Sequence, residues 1–264
     1  MEFSLFIPAL LMTVVEGTAV MIGLFFTLYK KLQNTKFISF VFSFSGGMML
    51  FAAFVKFFPS ALAIFESQYT YKTALMLSGI AFFCGLLITA PLDILISRKQ
   101  NTKNKPHVEC HNRAKQENHI YVLLLSSLIF HNFLEGIATY ISFFDGKNIA
   151  FIVVASLVAH NIPEGAIISL LVYRKTKSRM KAMKFCLLAG LSGPLGAMVT
   201  ALVLPIDLSI EYLGFIKAAL AGILVNTALV ELILPSAYVF KKQHVSKKGI
   251  VLGMLFMYLL LIIY

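Results

Sequence analysis

Charge is scarce in this chain, and negative charge is scarcer still. Of 264 residues only 12 are Asp or Glu, against 23 Lys or Arg, and charged residues make up 13% of the total. That excludes the surface of a soluble globular domain, where about a quarter of residues are charged. Cysteine is also rare. Cys84 and Cys186 fall in apolar runs and Cys110 in a basic connection, so no disulfide framework is implied and the thiols read as packing residues. The first apolar run lacks a basic leader and a small-residue cleavage site, so it reads as a span and not as a cleavable signal peptide. H-E-x-x-H, the helical pattern of zinc proteases, does not occur.

What fills the chain is apolar: 59% hydrophobic residues, with a mean hydropathy of +0.84. Continuous runs of helix-spanning length, with no short alternating segments, indicate an all-α polytopic membrane protein and exclude a β-barrel. Reading the runs gives a single transmembrane domain over 1–264 with eight spans, about 5–29, 37–60, 73–97, 119–143, 147–173, 182–206, 210–240 and 248–264. A longer polar connection, 98–118, separates the third and fourth spans. It holds His107, Cys110 and His111, with His119 at its edge, in a spacing that fits no closed zinc module; an ordinary solvated loop is the expectation.

Basic residues orient the bundle, because cytoplasmic loops carry the Lys/Arg excess. Nineteen of the 23 lie in the first, third, fifth and seventh connections, whereas the others hold Lys72, Lys147 and Lys217, and Lys56 lies within a span. Both termini are therefore expected outside. The same distribution accounts for the net charge of +11 without a nucleic-acid partner.

Two segments inside the spans nearly repeat: His131-Asn132-Phe133-Leu134-Glu135-Gly136 and His160-Asn161-Ile162-Pro163-Glu164-Gly165. An ionisable side chain at bilayer depth is costly and marks an ion or proton path. On a helix, a histidine and the glutamate four residues later share a face. The 29-residue interval equals one span plus a tight turn at Asp145-Gly146, which makes the two helices antiparallel neighbours with their motifs at similar depth. His131, Glu135, His160 and Glu164 then offer the mixed nitrogen and oxygen set that zinc accepts and that Fe²⁺, Mn²⁺, Co²⁺ or Cd²⁺ also tolerate. Asn132 and Asn161, rotated by about 100° from the histidines, face a second, oxygen-rich position. Pro163 frees the carbonyl of Ala159 inside the fifth span, and Gly136 and Gly165 allow close helix approach.

At these residues the chain resembles the ZIP (Zrt-, Irt-like protein) metal-ion transporters, in particular their bacterial zinc-uptake branch, with H-N-F-P-E-G in the fourth span and H-N-I-P-E-G in the fifth. Weaker matches are Ser45 to Leu50, Ser192-Gly193-Pro194-Leu195-Gly196, and Ala221 to Val225 leading to Glu231 and Pro235. The resemblance implies a ZIP-type bundle, a binuclear metal centre near mid-membrane, homodimers and alternating access. It also exposes departures. Leu134 replaces a proline, Gly193 replaces a glutamate of the second metal position, Val230 replaces a His or Asp, and Lys56 replaces an acid. Glu16 occupies a position that is small and apolar in relatives. It is expected to pair with Lys56, its rival role being a substitute for the carboxylate missing at Gly193. Glu231 is expected to help inward release, and Asp93 is expected to be a boundary residue.

The expected function is import of a divalent cation, zinc foremost, across a cell membrane, most simply a bacterial inner membrane, by a multi-pass protein that is not an enzyme. The alternatives are an intramembrane zinc hydrolase and a metal-binding relative that does not transport.

Overall fold

The computed structural model describes residues 3–101, 109–203, 209–239 and 242–263, and every regular element among them is helical. In order these are α1 (Phe3–Ile22), α2 (Thr35–Ala52), α3 (Phe58–Glu66), α4 (Tyr71–Asn101), α5 (Glu109–Ser142), α6 (Lys147–Thr176), α7 (Arg179–Val203), α8 (Ile210–Asn226) and α9 (Gln243–Ile263). The chain is thus an all-α polytopic membrane protein. Among the described residues, six stretches are long and apolar enough to cross a bilayer: Phe6–Leu28, Thr35–Glu66, Ala150–Thr176, Arg179–Val203, Ile210–Ala237 and Gln243–Ile262. Helix is the only open architecture for such sequences, since each backbone group left unsatisfied in hydrocarbon costs several kcal/mol.

The ends of the helices follow local chemistry. Asn34 caps α2 by accepting from the Phe37 N–H at 2.8 Å, and Ser209 caps α8 through Tyr212. The turn between α5 and α6 runs through a short 3₁₀ segment, Phe143–Asp145, to Gly146 at φ 107°, a conformation that favours glycine. α4 and α5 extend to Asn101 and from Glu109, so much of the expected 98–118 loop is helical. Its Lys, Arg, Gln and Glu content is compatible with helix once the chain leaves the membrane. The side chains of Asp93, His107, Cys110, His111 and His119 lie outside the described residues.

Two spans contain π-helical segments that the sequence reading did not anticipate: Ala53–Phe57 between α2 and α3, and Thr227–Ile233 after α8, the latter followed by a further π turn at Pro235–Val239. Each precedes a proline. Pro59 has no N–H for the Val55 carbonyl and Pro235 none for that of Glu231, and widening the turn relieves the clash of each ring with the preceding backbone. The opposite holds at Pro163, where the expected break is absent and α6 continues as α-helix through the proline.

The helices pack in two sets. α1 lies against α5, α6 and α7, and α5 also packs on α7; α2 packs on α9, while α3 and α4 pack on α8. The sets meet where α2 lies on α6 and where the π segment after α8 approaches α5. Glycine permits the closest crossings. A Cβ on Gly136 would collide with the main-chain oxygen of Gly193 in α7, and one on Gly165 with that of Val20 in α1. Each glycine follows a motif glutamate, so these contacts fix the depth and rotation of the two motifs.

Candidate metal centre

α5 and α6 bring the two motifs face to face. One donor atom from each of His131, Glu135, His160 and Glu164 lies within 4.8 Å of all the others, and all four residues are at most 3% exposed. The imidazole centroids are 6.3 Å apart.

The hydrogen bonds run crosswise between the helices. Asn132 of α5 donates to Glu164 Oε1 of α6 at 2.6 Å and to the Leu128 carbonyl at 2.9 Å. Asn161 of α6, with its amide turned to suit its neighbours, donates to Glu135 Oε2 at 2.9 Å and to the Leu157 carbonyl at 3.3 Å. Both amide nitrogens are thereby engaged in orienting carboxylates. His160 Nε2 and His131 Nε2 both face Glu135 Oε1, the latter at 2.7 Å.

Two features show that this donor set suits a cation. His160 Nδ1 lies 3.2 Å from the Ser156 carbonyl, which can only accept, so Nδ1 carries the proton. In a neutral ring Nε2 is then a lone pair aimed at a carboxylate oxygen, and two acceptors face one another productively only across a proton or a metal ion. A histidine that ligates metal through one nitrogen while donating its other N–H to a carbonyl is the usual arrangement around zinc. The second feature is a set of buried atoms left over. Nδ1 of His131 and Oε2 of Glu164 have no hydrogen-bond partner among the described residues, and Nε2 of His131 has only the Glu135 oxygen it faces at 2.7 Å. An unmet buried polar group costs about 1–3 kcal/mol, and two in one place make an expensive void for anything but a ligand.

A profile described as "ZIP Zinc transporter" matches residues 4–121 and 98–261. The chain belongs to the ZIP zinc-transporter family. Within it, the chain is 34% identical to the "Zinc transporter ZupT" of Streptococcus mutans over 258 residues, covering 97% of each. The protein of the same name from Chlorobium phaeovibrioides is 32% identical with 97% of each chain covered, and that from Oceanobacillus iheyensis is 34% identical with 94% of this chain and 95% of the relative covered.

The other residues singled out from the sequence of this ZIP chain fall around the four. Glu231 sits on the π segment after α8, 5% exposed. Glu16 is 2% exposed and does not take up the expected pairing with Lys56 as its hydrogen bond. Thr139 Oγ1 donates to its Oε1 at 2.7 Å. The reason is packing: α1 lies on α5 to α7, whereas the π turn carrying Lys56 lies on α8. Lys56 instead stands in the wall of a cavity that reaches His160 and Ser156, and of an adjoining one with Lys217, whose Nζ donates to Ser60 Oγ at 3.2 Å. Sequence reasoning missed Ser156 and Thr139. Each lies one helical turn from a motif residue, Ser156 before His160 and Thr139 after Glu135, and that spacing was the available signal.

Proposed function

We propose that this protein carries Zn²⁺ through the membrane toward the cytoplasm, with His131, Glu135, His160 and Glu164 as the principal ligands and the carbonyl oxygens of Asn132 and Asn161 beside them. The observation that carries the reading is the buried cluster with an unmet histidine nitrogen and a free carboxylate oxygen, on two helices that face each other. Zinc transport named for the relatives points the same way. Four nitrogen and oxygen donors replace most of the ion's hydration shell. Release requires the set to be pulled apart, and the junction between the two helix sets runs beside it. Glu231, on the π segment at that junction, is the next carboxylate for the departing ion.

The inward direction is taken from the resemblance to the zinc-uptake branch; the Lys/Arg asymmetry supports termini outside and a single multi-pass transmembrane domain of a cell membrane, a bacterial inner membrane being the simplest setting. Homodimer formation follows from the resemblance and is tested by cross-linking in the membrane. Fe²⁺, Mn²⁺, Co²⁺ and Cd²⁺ suit the same donors and enter as competitors in the assay. Membership of a transporter family sets aside the hydrolase reading. The non-transporting reading is separated by experiment. Radioactive zinc uptake into vesicles reconstituted with the protein is expected to be saturable and to vanish in Glu135→Gln. Zinc binding without flux would instead make it a binding protein.

A further inference from the structure

Glu16 is a buried carboxylate that the four-ligand centre leaves unexplained. It enters from α1, 2% exposed, at a depth where an uncompensated charge is costly. Thr139 supplies one hydrogen bond to it at 2.7 Å. Thr139 stands four residues after Glu135 on α5, so Glu16 meets the same face of α5 that carries the metal-centre glutamate. The main-chain carbonyl of Glu16 also faces the side chain of Asn161 at 3.5 Å; with the Asn161 nitrogen turned to Glu135 Oε2, the atom facing that carbonyl is Oδ1, so the two are neighbours without a hydrogen bond. Withdrawal is blocked, because α1 is wedged in place by Gly17 against Gly190 and by the Val20 carbonyl against Gly165. Glu16 and Glu135 thus meet one face of α5 a helical turn apart, and two carboxylates buried there repel unless a cation lies between them.

We infer that Glu16 is a third carboxylate of the metal centre, reaching in from α1 to share a bound dication with Glu135 on the side facing Asn161. The inference rests on the metal-centre reading of the four principal ligands. The space around Gly193 supports it. A side chain there would point between the carbonyl oxygens of Asn132, at 3.5 Å, and Thr13, at 3.9 Å, in ordinary contact with both. Thr13 precedes Glu16 by three residues on the same face of α1. Gly193 therefore leaves room for a side chain beside the backbone of α1 and α5, one turn of α1 from Glu16.

The test compares zinc binding and zinc-induced thermal stabilisation of the purified full chain with those of Glu16→Gln, Glu16→Ala, and Glu16→Ala combined with Gly193→Glu. Gln keeps the size of the side chain and an oxygen for Thr139. Glu16→Gln is expected to bind zinc about tenfold or more weakly, with a melting temperature unchanged in the absence of zinc and a smaller rise on adding it. The double variant, which places a carboxylate in that room from α7, is expected to recover affinity relative to Glu16→Ala. Wild-type affinity in Glu16→Gln, alongside lost binding in Glu135→Gln, would overturn the inference and leave the four-ligand centre standing. An equal loss of stability with and without zinc would also overturn it, as the mark of a structural role. Absence of zinc binding by the wild-type protein would remove both readings together.

Discussion

The two copies of H-N-x-x-E-G are identical at four of six positions, yet they carry unequal burdens. In the α5 copy the carboxylate is committed: Glu135 faces both histidines and takes the Asn161 amide, while Nδ1 of His131 is left unmet. In the α6 copy the imidazole is committed: His160 is anchored on the Ser156 carbonyl, while Glu164 keeps one oxygen free. Each helix thus gives one held group and one open group. The open pair, His131 and Glu164, is free to reorganise around an ion, while the held pair keeps the site assembled. A repeated motif does not make a symmetric site, because the copies lie against different neighbours, α7 for one and α1 for the other.

Breaking the hub of this arrangement has the largest expected effect. Glu135→Gln leaves both histidines and Asn161 without their shared carboxylate and is expected to lower zinc uptake by at least about 100-fold, against about tenfold for Glu164→Gln, measured as initial rates in reconstituted vesicles. Equal losses would show that the asymmetry is not functional. Next come the glycines. Gly136→Ala and Gly165→Ala each drive a methyl into a facing main-chain oxygen, at a cost of about 1–3 kcal/mol in overpacking, and both are expected to lower the melting temperature of the detergent-solubilised protein. A normal melting temperature for either would contradict the close crossing at that copy.

The histidines sharpen the comparison at smaller scale. Substituting His160 by alanine removes the ring anchored on the Ser156 carbonyl, whereas His131→Ala removes a ring held only through Glu135, so zinc affinity by equilibrium dialysis is expected to fall further for His160→Ala. The reverse order would mean that His131, and not His160, is the anchored ring. Smallest of all is the exchange of Leu134 for proline, which makes the α5 copy resemble the α6 copy. Since α6 passes through Pro163 without interruption, Leu134→Pro is expected to leave zinc affinity near the wild-type value, and a large loss would show that α5 depends on an unbroken backbone there.

The helical architecture and the clustering of His131, Glu135, His160 and Glu164 were legible in the sequence because each rests on a strong regularity: long apolar runs, and a four-residue spacing that appears twice. What escaped was set by neighbours distant along the chain. Nothing local to Glu16 points to Thr139 of α5 and away from Lys56; that follows from how α1 lies on α5 to α7. The π segments at Ala53–Phe57 and Thr227–Ile233 were missed because an apolar span looks alike with either helical pitch. Pro59 and Pro235 were the available clue. Pro163 taught the converse, that a proline in a span need not end the α-helix.

The central claim is that two imidazoles and two glutamates hold one zinc ion between α5 and α6. X-ray absorption at the zinc edge of the zinc-loaded protein tests it most directly. The account predicts a nitrogen and oxygen shell at about 2.0–2.2 Å with the multiple scattering of two imidazoles, and loss of that scattering in the His131→Ala, His160→Ala double variant. Imidazole scattering that is absent from the wild-type protein, or that persists unchanged in the double variant, would contradict it.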